Sequence, residues 1–184
     1  SIFNKAERLY VDMSMENSEY GKLFSEDIDL RDAVTVNNIY RTLNSLVATN
    51  VDLIDSIHFY YINSNTIVST KYGVKYFDGN VYNSSINTEW IDAMNSCNTG
   101  SMWLGHNLLT DDNTTFSMIK AYPYASNTDK RRVVVAFDIK TNALNNVIAQ
   151  STHDNHSSLF IADENNNIIA HSLNRDVFPQ STLL

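Results

Sequence analysis

Two histidines three residues apart, His153 and His156, flank Asp154 in "HDNH", a spacing that suits a metal on one helix face. The surrounding "STHDNHS" is polar and falls between elements, so it reads as a solvated linker and no metal site is expected. His58, His106 and His171 stand alone in strand-like runs, and His58, alternating with buried neighbours, is expected to face outward or toward a long helix. There is no Gly-rich phosphate loop, no nucleophile elbow and no local base–nucleophile arrangement. Asp111 and Asp112 sit in the turn signal "TDDN" and read as solvated. The chain is therefore expected not to be an enzyme and to need no cofactor. The informative acid is Asp138, near the end of the apolar run "VVVAFDI". A carboxylate is costly to bury alone, so it must have a definite partner. The candidates are the free N–H groups of a helix starting near Thr141, or a ligand.

Composition narrows the classes further. With 184 residues, 43% hydrophobic and 11% aromatic, the chain can bury a substantial core. A net charge of -8 argues against nucleic acid, which needs clustered Lys and Arg. The densest basic run, "DKRR" at 129–132, reads as an exposed turn before a strand. Cys97 is the single cysteine, which excludes an internal disulfide and a multi-cysteine zinc site. Sequons at Asn83, Asn113 and Asn155 arise easily in so Asn-rich a chain. No apolar stretch approaches the ~18–20 residues that cross a bilayer. The opening "SIFNKAERLY" reads as a start inside a longer protein, with any membrane anchor in flanking segments.

The elements that must position Asp138 follow from periodicity. Ile2, Phe3, Ala6, Leu9, Tyr10, Met13, Tyr20 and Leu23 form one helical stripe, and Val36, Ile39, Tyr40, Leu43, Leu46 and Val47 a second. "SEDIDL" separates them with groups able to cap a helix. "IDSIHFYYI", "NSN" and "TIVST" then read as a hairpin, residues 71–87 as a long loop, and "TEWIDAMNS" as a short helix. "SMWLGHNLL", "TTFSMIKAYPYA" and "RRVVVAFDI" read as three antiparallel strands, followed by a helix over "TNALNNVIAQ". The result is an α+β domain with a five-stranded antiparallel sheet. "SSLFIADENNNIIAHS" at 157–172 repeats the pattern of "SIHFYYINSNTIVSTK", as if a second module were beginning.

This order of elements resembles the extracytoplasmic double Cache sensor family, whose modules have a PAS-like sheet. The likeness rests on "NVDLIDSIHFYYINSNTIVST", "TEWIDAM", "TTFSMIKAYPYA", "VVVAFDIKTNAL" and "LFIADENNNIIAHS", and it covers nearly the whole chain. It is closest to the sensor regions of Gram-positive transmembrane histidine kinases and membrane-bound AraC-type regulators. The resemblance implies N-terminal helices over 1–50, a membrane-distal PAS-like module over 51–150, and the opening hairpin of an incomplete membrane-proximal module over 157–184. It implies an extracellular region, on the outer face of a membrane, that binds a small polar molecule and passes a conformational bias inward.

In the family's layout Trp90, Asp138, Trp103, Tyr122 and Tyr82 would surround the space between sheet and short helix, where a small-ligand pocket is expected. Each also has a structural role open to it: Trp90 as a plug for the sheet, Tyr122 as core filling, Asp138 as a helix cap. Of the amino-acid-binding subgroup's positions only Trp90 and Asp138 match. Its Arg would fall at Thr88, the Tyr after the Trp is Ile91, and the leading Tyr falls at Asn83, one residue off Tyr82. Without a guanidinium there is no bidentate partner for an α-carboxylate, so a different ligand, or none, is expected. The alternative is a module of the same fold that dimerises, through its N-terminal helix, or docks a partner protein.

Overall fold

The structure, a computed structural model, describes residues 1–77, 89–105, 114–123, 128–151, 159–162 and 168–172. The first helical stripe breaks earlier than its spacing predicts. Helix α1 (Ile2–Ser14) buries Ile2, Ala6, Tyr10 and Met13, and the Ser1 hydroxyl accepts the Asn4 N–H at its start. The chain then doubles back, and a 3-10 turn at Gly21–Phe24 inserts Leu23 and Phe24 into the core. Gly21 permits the reversal: a Cβ there would lie 2.8 Å from the carbonyl oxygens of Met15 and Glu16. Helix α2 (Ala33–Thr49) is capped by Asp32, whose carboxylate accepts the backbone N–H groups of Val34 and Thr35.

The strands are β1 (Ile54–Tyr61), β2 (Thr66–Ser69), β3 (Gly73–Tyr76), β4 (Ser101–Leu104), β5 (Thr115–Tyr122) and β6 (Val133–Lys140). They form one six-stranded sheet in the order β3-β2-β1-β6-β5-β4, with every pairing antiparallel. The α+β class is as expected, with a PAS-like sheet of six strands rather than five. The sixth is β3, at the start of the stretch expected to be loop. Gly73, at φ 71, lets the chain turn back so that Val74 pairs with Val68.

Alternation along the strands divides the core in two. One face packs Ile57, Phe59, Tyr61, Phe116, Met118, Phe137 and Ile139 against α1, α2 and helix α4 (Thr141–Ser151). The other packs Ile67, Ile119, Ala121, Val134 and Ala136 under the short helix α3 (Glu89–Ser96). Strands β7 (Leu159–Ala162) and β8 (Ile168–Ser172) pair as a separate hairpin, as their sequence predicts. Among the described residues no helix is long and apolar enough to cross a membrane.

Candidate functional site

The α3 face of the sheet carries a buried polar row that crosses four strands. Asp138 on β6 has Ser56 of β1 and Ser117 of β5 as its direct cross-strand neighbours. His58, two residues beyond Ser56, has Ser69 of β2 opposite it. A bulge at Asp55 makes this possible. It resets the alternation, so Ile54 joins the helix-side core while Ser56 turns to Asp138.

Asp138 is 0% exposed. Its Oδ2 accepts hydrogen bonds from Ser56 Oγ at 2.7 Å and His58 Nε2 at 2.8 Å, and its Oδ1 accepts one from Ser117 Oγ at 2.7 Å. His58 Nδ1 lies 2.8 Å from Ser69 Oγ. Ser69 fixes the proton positions, because its oxygen already accepts the backbone N–H groups of Lys71 at 3.1 Å and Tyr72 at 2.9 Å. A hydroxyl oxygen has two lone pairs, so with a neutral ring Ser69 donates its proton to His58 Nδ1. His58 Nε2 then carries the hydrogen given to Asp138. Every donor in the row points toward the carboxylate, and Tyr72 stacks on the imidazole at 5.9 Å.

Burial is the largest influence on the Asp138 carboxyl and pushes its pKa up. The attraction of His58, then the hydrogen bonds from His58, Ser117 and Ser56, outweigh burial together, so the carboxyl sits below its ordinary range. The attraction operates when the ring is protonated, whereas the three donors act in either state. Asp138 is therefore an anion held by side chains. His58 points to the α3 face, away from α1 and α2, contrary to expectation. Carboxylates draw compensating donors, and here two serines and a histidine supply them from neighbouring strands.

Ser69, His58 and Asp138 include the residue types of a hydrolytic triad, yet the geometry rules that chemistry out for this row. Ser69 is 0% exposed, and two N–H groups occupy its oxygen.

Trp90 projects from α3 over the same face, 1% exposed, edge-on to Tyr60 with 6.5 Å between ring centroids. Its indole Nε1–H is buried with no hydrogen-bond partner among the described residues. Arg131, read in the sequence as part of an exposed turn, is 4% exposed and holds α3 in place. Its guanidinium donates to the Met94 carbonyl at 2.6 Å and the Cys97 carbonyl at 2.5 Å, capping the negative end of the helix.

Trp103 and Tyr122 do not line this space. Trp103 packs on the helix side against Phe3 at 4.9 Å and Phe116 at 6.0 Å, and Tyr122 against Phe24 at 4.7 Å. Strand parity is the reason: Trp103 pairs with Met118, which pairs with Phe137, one residue from Asp138 and so on the other face. Tyr82, like His106, His153 and His156, lies outside the described residues. Among the described residues no cluster of His, Cys, Asp or Glu could hold a metal ion. Clefts of about 360 Å³, lined by Lys5, Arg8, Asp12 and Asp52, and about 280 Å³, between the 3-10 turn and α2, both open on the helix side.

No protein-family model matches the sequence, and no curated protein matches it. Solved structures that share the fold include two sensory domains. The sensory domain of the Campylobacter jejuni chemoreceptor Tlp3 (CcmL) is 15% identical with a TM-score of 0.53, over 97% of this chain. The ligand-binding domain of the Pseudomonas aeruginosa PAO1 amino acid chemoreceptor PctC, in complex with GABA, is 16% identical with a TM-score of 0.55, over 100% of this chain. This chain spans 66% of the first and 70% of the second, about two thirds of their length. The fold is that of Cache-type, PAS-like sensor domains.

Proposed function

We propose that this chain is the extracellular ligand-sensing region of a transmembrane signalling protein. It binds a small polar molecule on the α3 face of the sheet, beside Trp90 and Asp138, and passes a conformational bias toward the membrane. The observation that carries this reading is the buried polar row beneath α3, with a buried Trp90 N–H over the same face that has no partner among the described residues. It occurs in a fold shared with two sensory domains, one of them solved with GABA. Binding there biases an equilibrium only by its differential affinity for two arrangements of α3 and sheet. Of the five residues expected at the site, Trp90 and Asp138 are retained.

The second reading, a dimerisation or docking module, is favoured by one observation. The row's serines, histidine and carboxylate bond to one another, as in a core that needs no ligand.

A thermal-shift screen against amino acids, amines, organic acids, sugars, nucleosides and short peptides separates the two. A ligand at about 100 times its Kd adds about 2.7 kcal/mol, which raises the midpoint by several degrees in a chain of this size. The expected result is a shift lost in Trp90→Phe, which keeps the ring and deletes the donor. A hit unchanged in both Trp90→Phe and Asp138→Asn, each measured against its own baseline, would move the site elsewhere. A flat screen of the folded chain would favour docking.

A further inference from the structure

Ser69 joins the polar row to the turn between β2 and β3. Its oxygen accepts the N–H groups of Lys71 at 3.1 Å and Tyr72 at 2.9 Å, and its hydroxyl meets His58 Nδ1 at 2.8 Å. With a neutral ring the hydroxyl supplies the proton between them, and every group is satisfied. A protonated imidazole carries hydrogens on both nitrogens. Its Nε2–H still faces the Asp138 carboxylate at 2.8 Å, now as an ion pair. Its Nδ1–H points at an oxygen whose two lone pairs are taken. Three donors cannot share two lone pairs, so Ser69 must turn its own proton away and give up one of the turn N–H groups. Lys71 is exposed and Tyr72 half-buried, which lets water take the released N–H.

We propose that His58 is a proton-operated switch on the β2–β3 turn: a neutral ring leaves Ser69 holding both N–H groups, and a protonated ring takes the Ser69 oxygen from one of them. The turn shifts without coming free, because Thr70 within it donates its N–H to the Ile57 carbonyl at 3.0 Å and accepts the Ile57 N–H at its hydroxyl at 3.0 Å. The titratable and charged groups around the ring are few. Asp138 approaches from β6, Tyr72 stacks on the ring from the turn, and Tyr60 follows along β1. Asp55, beside Ser56, pairs with Lys71 at 3.5 Å. On the α3 side Asp92 is exposed, and Arg131 is engaged with the carbonyls at the helix end. Beyond the turn, β3 reaches the helix layer through Tyr76, whose hydroxyl donates to the Leu30 carbonyl at 3.1 Å, just before α2. The switch stands independently of what the α3 face binds.

Solution NMR of the full chain tests this, with the pH lowered from about 8 to about 5, the span in which histidines change charge. Nitrogen shifts of the His58 ring report which atoms carry protons, and amide shifts report the turn. The Lys71 or Tyr72 amide is expected to move upfield with the same midpoint as the ring, and to stop moving in His58→Gln. Asp55→Asn removes the other carboxylate beside the turn and is expected to leave that shared midpoint in place, which keeps the test sharp if His58→Gln does not fold. A ring that keeps one protonation state across the span, a ring that titrates while both amides stay put, amides that still titrate in folded His58→Gln, or a response lost in Asp55→Asn would each overturn the proposal.

Discussion

Replacing Asp138 by Asn keeps the shape of the side chain and removes its charge, which makes it the sharpest probe of the polar row. Three donors converge on the carboxylate: Ser56, His58 and Ser117. An amide can accept from Ser56 and His58 at the Oδ2 position. Its NH2 group then faces Ser117, whose hydroxyl must turn to accept. A hydrogen bond to a charged group contributes about 1.5–3 kcal/mol and a neutral one about 0.5–1.5 kcal/mol. Losing the charge over three such bonds therefore costs about 3 kcal/mol at neutral pH. For a chain of this length that lowers the melting midpoint by about 6–12 °C.

The pH dependence carries the stricter test. The folded carboxyl lies below its ordinary value of 3.8, so the unfolded chain takes up this proton first as acid is added. Its contribution is fully present above the unfolded value and is lost as pH falls through the depressed folded one. Urea unfolding of both proteins should show a constant stability gap from about pH 7 down to about pH 4, closing below that. No gap at neutral pH, or one that stays constant well into acid, would refute the assignment of Asp138 as an anion held by three donors.

Arg131→Met should loosen α3 by about 2 kcal/mol, the worth of hydrogen bonds from a charged donor. A red shift of Trp90 emission in a Trp103→Phe background would report it. Gly21→Ala forces a Cβ against two backbone carbonyl oxygens and should cost about 1–3 kcal/mol in urea unfolding. Gly73→Ala meets no neighbouring atom and should cost only the strain of its positive φ, about 1–2 kcal/mol.

Much of the fold was legible because periodicity is local. The two helical stripes, the hairpins and the apolar strands "TTFSMIKAYP" and "VVVAFDI" each declare themselves within a few residues. So did the need of Asp138 for a partner. The identity of that partner was not legible, since Ser56 and His58 lie 82 and 80 residues away and meet it only through strand register. The bulge at Asp55, which inverts the parity of β1, leaves no signature in residue type. Trp103 and Tyr122 were misplaced for a related reason. Aromatic character says nothing of the face, whereas parity does: Tyr122 pairs with Val133, five residues from Asp138 and so on the other side. Arg131 was misread because charge signals solvent unless a helix end is there to receive it.

The polar row also bears on how the chain finds its native alignment. β1 and β6 are joined by no tight turn, so nothing local prevents them from meeting one residue out of step. A slipped pair would make nearly as many backbone hydrogen bonds, with every side chain on the wrong face. Ile57, or Asp55 for a slip the other way, would then stand opposite Asp138, while Ser56 and His58 would enter the helix-side core. A buried carboxylate that loses two of its three donors, the histidine among them, costs up to about 3–5 kcal/mol, enough to make the slipped state a minor species. The residues that give this face its chemistry thus also proofread the assembly of the sheet.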